Sequence, residues 1–184
     1  MDIQKYIKRF GNFAHVDEQR NLLYIIDYCK SKKLDNNQIA YILATAYHEC
    51  YNWKKGTHWI PIIEIGSFEY FIKKYFLNNR VRRWLGNDDK KDAVDFIGRG
   101  YIQITGESNY EKFNIQHNPE LALEYKKATE ILVDGMINGM FTGVALSKFI
   151  RKEKVDFINA RRVVNSLDKA DLIMNYAIDF LKIL

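Results

Sequence analysis

Residues 39–50, with the sequence IAYILATAYHEC, decide the fold because this stretch is apolar on nearly every side. The pattern follows helical spacing through Leu43 and Ala46, and Asp35 stands where an N-cap residue is expected. A helix that is apolar all round has to be buried by neighbouring elements. We therefore expect a central helix, with Glu49 in its last turn.

Further helical patterns lie on both sides of this stretch. They cover residues 3–10, 22–29, 68–76, 126–150, 155–164 and 169–184. Residues 78–95 are charged and predict a surface loop. A chain of 184 residues with 47% hydrophobic residues can bury one core but is short for two domains. We expect one mainly helical domain over residues 1–184.

Residues 101–105, YIQIT, alternate polar and apolar side chains between Gly100 and Gly106. Such alternation is typical of a short, half-buried strand. It places Tyr101, Gln103 and Thr105 on one face and the two isoleucines on the other. We expect the isoleucines to face the core and the three polar side chains to face outward.

Several protein classes are disfavoured by composition. The chain has no apolar run of about 18 residues and no signal peptide at its start, which predicts synthesis in the cytoplasm without a membrane span. Cys29 and Cys50 sit in apolar helical patterns and are expected to be buried reduced thiols. The net charge of +5 favours polyanions, or simply reflects a solvated basic surface. The basic cluster at residues 80–83 precedes Trp84 but belongs to no known nucleic-acid motif.

A carboxyl group that serves as a general acid must be held partly out of water so that it stays protonated. Glu49 is the best such candidate, although it could simply occupy the exposed side of its helix end. The neighbouring His48 is not followed by a second histidine one turn later, since Asn52 stands there, so no metal site is expected. For a second carboxylate, Glu64 in an apolar stretch competes with Glu69 at a helix start.

The segment 98–106, GRGYIQITG, followed by Asn109, resembles the signature of glycoside hydrolase family 19, which includes chitinases and bacteriophage endolysins. About fifty residues earlier, the segment 44–49 (ATAYHE) resembles the family's helix ending in His-Glu. Similar pieces follow in the same order at residues 118–123, 139–143 and 159–165. The resemblance spans roughly residues 39–184 and is closest to the small endolysin branch.

The resemblance implies an α+β, lysozyme-like fold with two helical lobes and a small β element lining a central cleft. It also implies an inverting mechanism without a cofactor. Glu49 takes the position of the general acid, and Glu64 that of the acid which activates water. Thr105 takes the position of a hydroxyl that helps to hold this water.

Four further residues match sugar-binding positions of the family: Gln103, Asn109, Tyr101 and Asn165. The residues after Asn165 depart from the double glycine that family chitinases often carry. Arg99 has two interpretations, one facing the cleft and one pairing with a carboxylate to hold its turn, and the flanking glycines favour the second.

The expected function is therefore that of an endolysin or lysozyme acting on β-1,4 bonds in peptidoglycan. Chitin is the competing substrate, and a non-catalytic glycan-binding or structural phage component is the alternative class. We expect a monomer that does not bind nucleic acid. A separate holin-type membrane partner would release it to the cell wall.

Overall fold

The computed structural model describes residues 1–184 and is mainly helical. Helices hold 56% of the residues and strands 6%, which confirms the predicted mainly-α class. The α-helices are α1 (Ile3–Phe10), α2 (Val16–Ser31), α3 (Asn36–Glu49), α4 (Phe68–Phe71), α5 (Asn79–Leu85), α6 (Asp92–Asp95), α7 (Glu107–Glu111), α8 (Tyr125–Ile137), α9 (Phe157–Ala160) and α10 (Ala170–Leu181). The strands are β1 (Ile62–Ile63), β2 (Arg99–Gly100), β3 (Ile150–Arg151) and β4 (Lys154–Val155). A π-helical turn, Ile72–Phe76, extends α4.

Helix α3 is the central helix that the sequence predicts. Its residues 39–47 are all buried, and it packs along α10 and also contacts α2 and α8. Asp35 caps its first turn, accepting a hydrogen bond from the backbone N–H of Gln38 at 3.0 Å while the Gln38 side chain accepts one from Asp35. This capping box satisfies two backbone donors at the helix start. The helix therefore presents Glu49, its last residue, at the edge of the core.

The predicted strand at residues 101–105 is wrong. The strand is β2, which pairs antiparallel with β1 through Ile62–Gly100 and Ile63–Arg99. After Gly100, at φ +87°, the chain turns, and Ile104 folds back to bridge Arg99. The polar–apolar alternation therefore does not map onto two faces of a sheet.

The predicted helix over residues 126–150 ends early, at Ile137. Gly139 adopts φ +69°, and a Cβ there would lie 2.8 Å from the backbone nitrogen of Ala145. The left-handed backbone ends the helix, and the following chain crosses close to it. The segment then continues through a turn and a 3₁₀ helix, Leu146–Lys148.

Two hydrophobic clusters divide the apolar side chains. The larger surrounds α3 and includes buried residues of α2, α8 and α10. The smaller consists of Phe71, Ile72, Tyr75, Leu85, Ala93 and Ile97. Residues 78–95, predicted as a surface loop, instead contain α5 and α6, which contribute to this smaller cluster.

Cys29 and Cys50 are both buried free thiols, as predicted. None of the helices has the length and apolar character needed to cross a membrane.

Candidate active site

Glu49 forms an ion pair at the C-terminal end of α3. Its Oε1 lies 2.6 Å from Nη1 of Arg161, whose side chain is only 3% exposed, against 21% for Glu49. Arg161 begins the 3₁₀ turn after α9, and its Nε donates to the carbonyl oxygen of Asp168 at 3.0 Å. Neither Glu49 Oε1 nor Arg161 Nη1 has a hydrogen-bonding partner elsewhere. The arginine therefore holds the carboxylate in place while part of the Glu49 side chain remains open to solvent.

Glu64 follows β1 and has the most densely hydrogen-bonded carboxylate near the sheet. It accepts hydrogen bonds from the Tyr75 hydroxyl and from Lys74 Nζ, each at 2.6 Å. Longer bonds come from the Tyr70 hydroxyl at 3.2 Å and the Gly98 backbone N–H at 3.3 Å. Helix α4 and its π-helical extension supply three of these donors, which explains why this short element positions the carboxylate.

The surroundings of Glu64 favour its charged form. Burial raises the pKa of Glu64, but the hydrogen bonds from Lys74 and Tyr75 and the charge of Lys74 outweigh burial, and the net pKa is lowered. Burial and the hydrogen bond to Glu64 together raise the pKa of Tyr75 to about 12, so its hydroxyl stays a donor at neutral pH. Glu64 is therefore a carboxylate near pH 7.

Glu69, the rival second acid, lies elsewhere. It is fully exposed in the first turn of α4, where the backbone N–H and the Ser67 side chain lower its pKa. Glu69 thus lies at the N-terminal end of α4, where the helix dipole stabilises a negative charge, as the sequence predicts. Its side chain forms no hydrogen bond or ion pair with Glu64 or Lys74, which bond to each other.

Gln103, Thr105 and Asn109 line one open depression together with Tyr75 and Trp84. The depression has a volume of about 250 Å³. Its remaining lining is apolar and consists of Val81, Leu85, Ile102, Ile104, Phe141 and Val164. A mostly apolar surface with a few polar groups suits a ligand that has both apolar faces and hydroxyl groups, such as a sugar.

The three polar residues are linked to one another and to β1. The Gln103 side-chain N–H donates to the carbonyl oxygens of Ile62 at 2.9 Å and Gly100 at 3.1 Å. The Thr105 hydroxyl donates to the Gln103 carbonyl oxygen at 3.0 Å, and the Asn109 amide donates to the Thr105 carbonyl oxygen at 2.8 Å. The turn that replaces the predicted strand thus holds these side chains in fixed positions.

Gly98 lies between Gln103 and Glu64. A Cβ at Gly98 would lie 2.9 Å from Gln103 Oε1 and 3.4 Å from Glu64 Oε2. Both oxygens therefore approach the same stretch of backbone, and glycine is the residue that allows it. The structure thus brings Glu64 next to the polar rim of the depression.

Neither Glu49 nor Glu64 belongs to the lining of the depression itself. Tyr75 connects Glu64 to it, because this tyrosine both lines the depression and donates to the carboxylate. The short segment from Arg161 to Val164 connects Glu49 to it, because Arg161 pairs with Glu49 and Val164 lines the wall. The two acids are therefore attached to the depression through different elements.

Two of the predicted sugar-binding residues are placed elsewhere. Tyr101 is 0% exposed, and its hydroxyl donates to the Trp59 carbonyl oxygen at 3.1 Å, so the expectation that it lines a cleft is wrong. The reason is the turn after Gly100, which points Tyr101 into the larger cluster. Asn165 is exposed outside the depression, where its side chain accepts a hydrogen bond from the Ser166 backbone at 2.8 Å.

Arg99 has the structural role that its glycine neighbours predict. It is 5% exposed, and its guanidinium donates to the Asp95 carbonyl oxygen at 2.7 Å, the Tyr110 hydroxyl at 3.1 Å and Glu120 Oε1 at 2.8 Å. These bonds tie β2 to α6, α7 and the 3₁₀ helix Pro119–Leu123. Arg99 therefore holds the turn and does not face the depression.

Sequence reasoning did not assign Arg161, Lys74 or Tyr75 to the site. The only available signal for Arg161 was its place in the segment 159–165 that resembles family 19. Lys74 and Tyr75 stand in a pattern that predicts only a short helix. Their roles depend on tertiary contacts with residues that are distant along the chain.

The side chains form no group of three or more His, Cys, Asp or Glu residues that could hold a metal ion. Comparisons with protein-family models, curated proteins and solved structures give no match to this chain. Its function is therefore inferred from the chemistry of the site and from the sequence resemblance.

Proposed function

We propose that the protein is a glycoside hydrolase of the endolysin or lysozyme type, which cuts β-1,4 bonds between N-acetylated amino sugars of peptidoglycan. The observation that carries the proposal is the pair of carboxylates, Glu49 and Glu64, attached by separate elements to one polar-rimmed depression. Paired carboxylates are what glycosidic hydrolysis needs. The resemblance to family 19 supports the same assignment.

In this proposal Glu49 donates a proton to the glycosidic oxygen. A bound sugar would cover the exposed part of the Glu49 side chain. Once the proton has left, Arg161 at 2.6 Å stabilises the carboxylate that remains. The ion pair therefore favours the product side of the proton transfer.

Glu64 acts as the base for the attacking water. It is charged near neutral pH, as a base must be, and it lies beside Gln103 across Gly98. Thr105 helps to hold the water, while Gln103 and Asn109 hydrogen-bond the sugar. A water placed between one carboxylate and the sugar gives inversion at the anomeric carbon.

The two hydrophobic clusters correspond in this proposal to the two lobes of a lysozyme-like fold. Both clusters contribute to the lining of the depression, with Tyr75 and Leu85 from the smaller cluster and Ile102 and Ile104 from the larger one. The protein would work as a monomer made in the cytoplasm. A holin-type membrane partner would release it to the wall, and nucleic acid is not a ligand.

The test is the release of reducing ends from purified peptidoglycan. Wild type is expected to release them, and Glu49→Gln should lower the rate by about 10²–10⁴-fold because it removes the proton donor. Glu69→Gln is the matched control, since it removes the same charge at an exposed position outside the site, and it should keep the wild-type rate. Equal melting temperatures would show that Glu49→Gln is folded.

Intact glycan strands after treatment with wild type would refute the proposal. The initial anomer of the product, followed by NMR, tests inversion. Measurements on chitin under the same conditions test the competing substrate.

A non-catalytic glycan-binding or structural phage component is the second candidate. The observation that favours it is that both acids already have strong partners, Arg161 for Glu49 and Lys74 with Tyr75 for Glu64. Such partners also occur in purely structural networks. Binding of wild type to peptidoglycan without any turnover would favour this candidate over the enzyme.

A further inference from the structure

A second depression continues the first one past Trp84. It has a volume of about 710 Å³ and shares Trp84 and Phe141 with the first depression. Its other lining comes from Lys112, Met140 and the turn at residues 139–143. The two depressions therefore form one groove that extends beyond the candidate active site.

The junction of the two depressions is aromatic and open. Trp84 is 72% exposed at the end of α5, although an indole of this size is usually largely buried. The apolar faces of sugar rings commonly pack against aromatic rings of this kind. The lining of the groove thus suits sugar residues on both sides of Trp84.

Lys112 is the one charged side chain in the combined lining. Its Nζ donates to Asn109 Oδ1 and to the Met140 carbonyl oxygen, each at 2.9 Å. It forms no salt bridge with any acidic residue. An ammonium group has three donors, so one donor and the whole positive charge remain unmatched by the protein.

We propose that Lys112 makes the groove selective for glycan strands that carry carboxylates, and that such a strand occupies the second depression. This inference rests on the proposed function and concerns its substrate. Peptidoglycan carries carboxylates on its lactyl groups or stem peptides, whereas chitin is uncharged. A charge-assisted hydrogen bond from Lys112 to such a group favours peptidoglycan over chitin.

Lys112 could also act only by holding Asn109 and the turn at Met140. That structural role would affect every substrate equally, because Asn109 lines the first depression whatever polymer is bound. If Lys112 instead binds the carboxylates of the substrate, its replacement changes the preference between charged and neutral polymers. The ratio of activities on the two polymers therefore separates the two roles.

The experiment compares wild type, Lys112→Gln and Lys112→Arg on three polymers. These are purified peptidoglycan, the same peptidoglycan with its carboxylates amidated, and the neutral polymer glycol chitin. Lys112→Gln should lower kcat/KM on peptidoglycan about tenfold more than on glycol chitin, mainly through KM. Lys112→Arg should restore most of the preference, and wild type should lose the preference on the amidated polymer.

Lys30→Gln is the matched control, because Lys30 is an exposed helical lysine outside both depressions. It should behave as wild type on all three polymers. Equal losses for Lys112→Gln on charged and neutral polymers would overturn the proposal. So would an unchanged preference on the amidated polymer.

If the protein is not a glycoside hydrolase, the same experiment gives a different result. In that case wild type releases no reducing ends from any polymer, and co-sedimentation with insoluble peptidoglycan replaces kinetics as the readout. Weaker co-sedimentation of Lys112→Gln, and of wild type with amidated peptidoglycan, supports the role of Lys112. Unchanged co-sedimentation in both cases overturns it.

Discussion

Glu64 depends on its neighbours for its charge. The side chain is 17% exposed, and a carboxylate withdrawn from water is costly unless donors surround it. Lys74, Tyr75, Tyr70 and the Gly98 backbone supply those donors. The same contacts that prepare Glu64 to act as a base also tie α4 to the β1–β2 sheet.

We predict that Glu64→Gln lowers stability in a pH-dependent way. The folded pKa of Glu64 lies below its ordinary value of 4.5, so its contribution is fully present above about pH 4.5 and is lost as the pH falls through the folded pKa. At pH 7 the variant should lose on the order of 2 kcal/mol in the free energy of unfolding, the scale of hydrogen bonds to a charged group. The difference from wild type should shrink at pH 3, as measured by urea unfolding.

Glu153→Gln serves as the control, because Glu153 is exposed in the β3–β4 turn and forms no ion pair. It should match wild type at both pH values. A stability loss for Glu64→Gln that stays constant between pH 7 and pH 3 would contradict the assignment of its charge.

At the scale of elements, α5 is positioned by its contact with a glycine. Gly106 adopts φ +87°, and a Cβ there would lie 2.5 Å from Leu85 Cβ and 2.7 Å from the Leu85 carbonyl oxygen. Leu85 is the last residue of α5 and belongs to the smaller cluster. Since α5 also carries Trp84, the close approach at Gly106 sets one wall of the groove.

Gly106→Ala is predicted to displace α5. The added methyl group clashes with Leu85 and the backbone is strained at positive φ, so the free energy of unfolding should fall by about 3 kcal/mol. Gly11→Ala is the matched control, with φ +91° but nothing within 4 Å of the new Cβ. It carries only the backbone strain and should lose roughly 1–2 kcal/mol. Equal losses in urea unfolding would show that the contact with Leu85 is unimportant.

At the scale of the whole molecule, the two hydrophobic clusters differ in size. The larger one contains the fully buried residues of α3, whereas the smaller one is formed by short helices and a π-helical turn. A region with less buried apolar surface opens at a lower free energy. The smaller cluster includes Tyr75, and Lys74 precedes it in the same π-helical turn, so opening of this cluster would release Glu64.

We therefore predict that amides in residues 68–95 exchange with solvent at a lower free energy than those in residues 39–47. Phe71→Ala should lower protection further in 68–95, by about 3 kcal/mol for a buried phenylalanine, and leave 39–47 nearly unchanged. Native-state hydrogen exchange measures both segments in one experiment. Equal protection of the two segments, lowered equally by the variant, would show a single cooperative unit.

The parts of the fold that the sequence predicts are those with a long, regular apolar period. Residues 39–50 and 169–184 satisfy this condition, and the structure has α3 and α10 there. Residues 101–105 fail because five residues of alternation are too few to outweigh the turn imposed by Gly100. The helical pattern over 126–150 fails because Gly139 adopts a left-handed backbone that periodicity does not reveal.

The candidate site also has features that the sequence predicts and features that it does not. Glu49 was identified from its place at the end of an apolar helix, and Gln103 and Thr105 were identified as polar neighbours, although by way of a strand that does not exist. The outward direction predicted for Tyr101 was wrong, because the turn buries it. Residue types and short-range spacing thus indicate candidate side chains, whereas the direction in which each side chain points depends on the tertiary structure.

The sequence by itself determined the mainly helical class, the buried central helix and the reduced cysteines, because these properties depend on composition and on periodicity within single elements. The resemblance to family 19 is what singles out Glu49 and Glu64 as candidate acids. Only the tertiary structure decided that Arg161 pairs with Glu49, that Lys74 and Tyr75 surround Glu64, and that Lys112 is the charged residue in the groove. Partners far apart along the chain meet only when elements pack, because side-chain electrostatics act over a few ångströms of space rather than along the sequence.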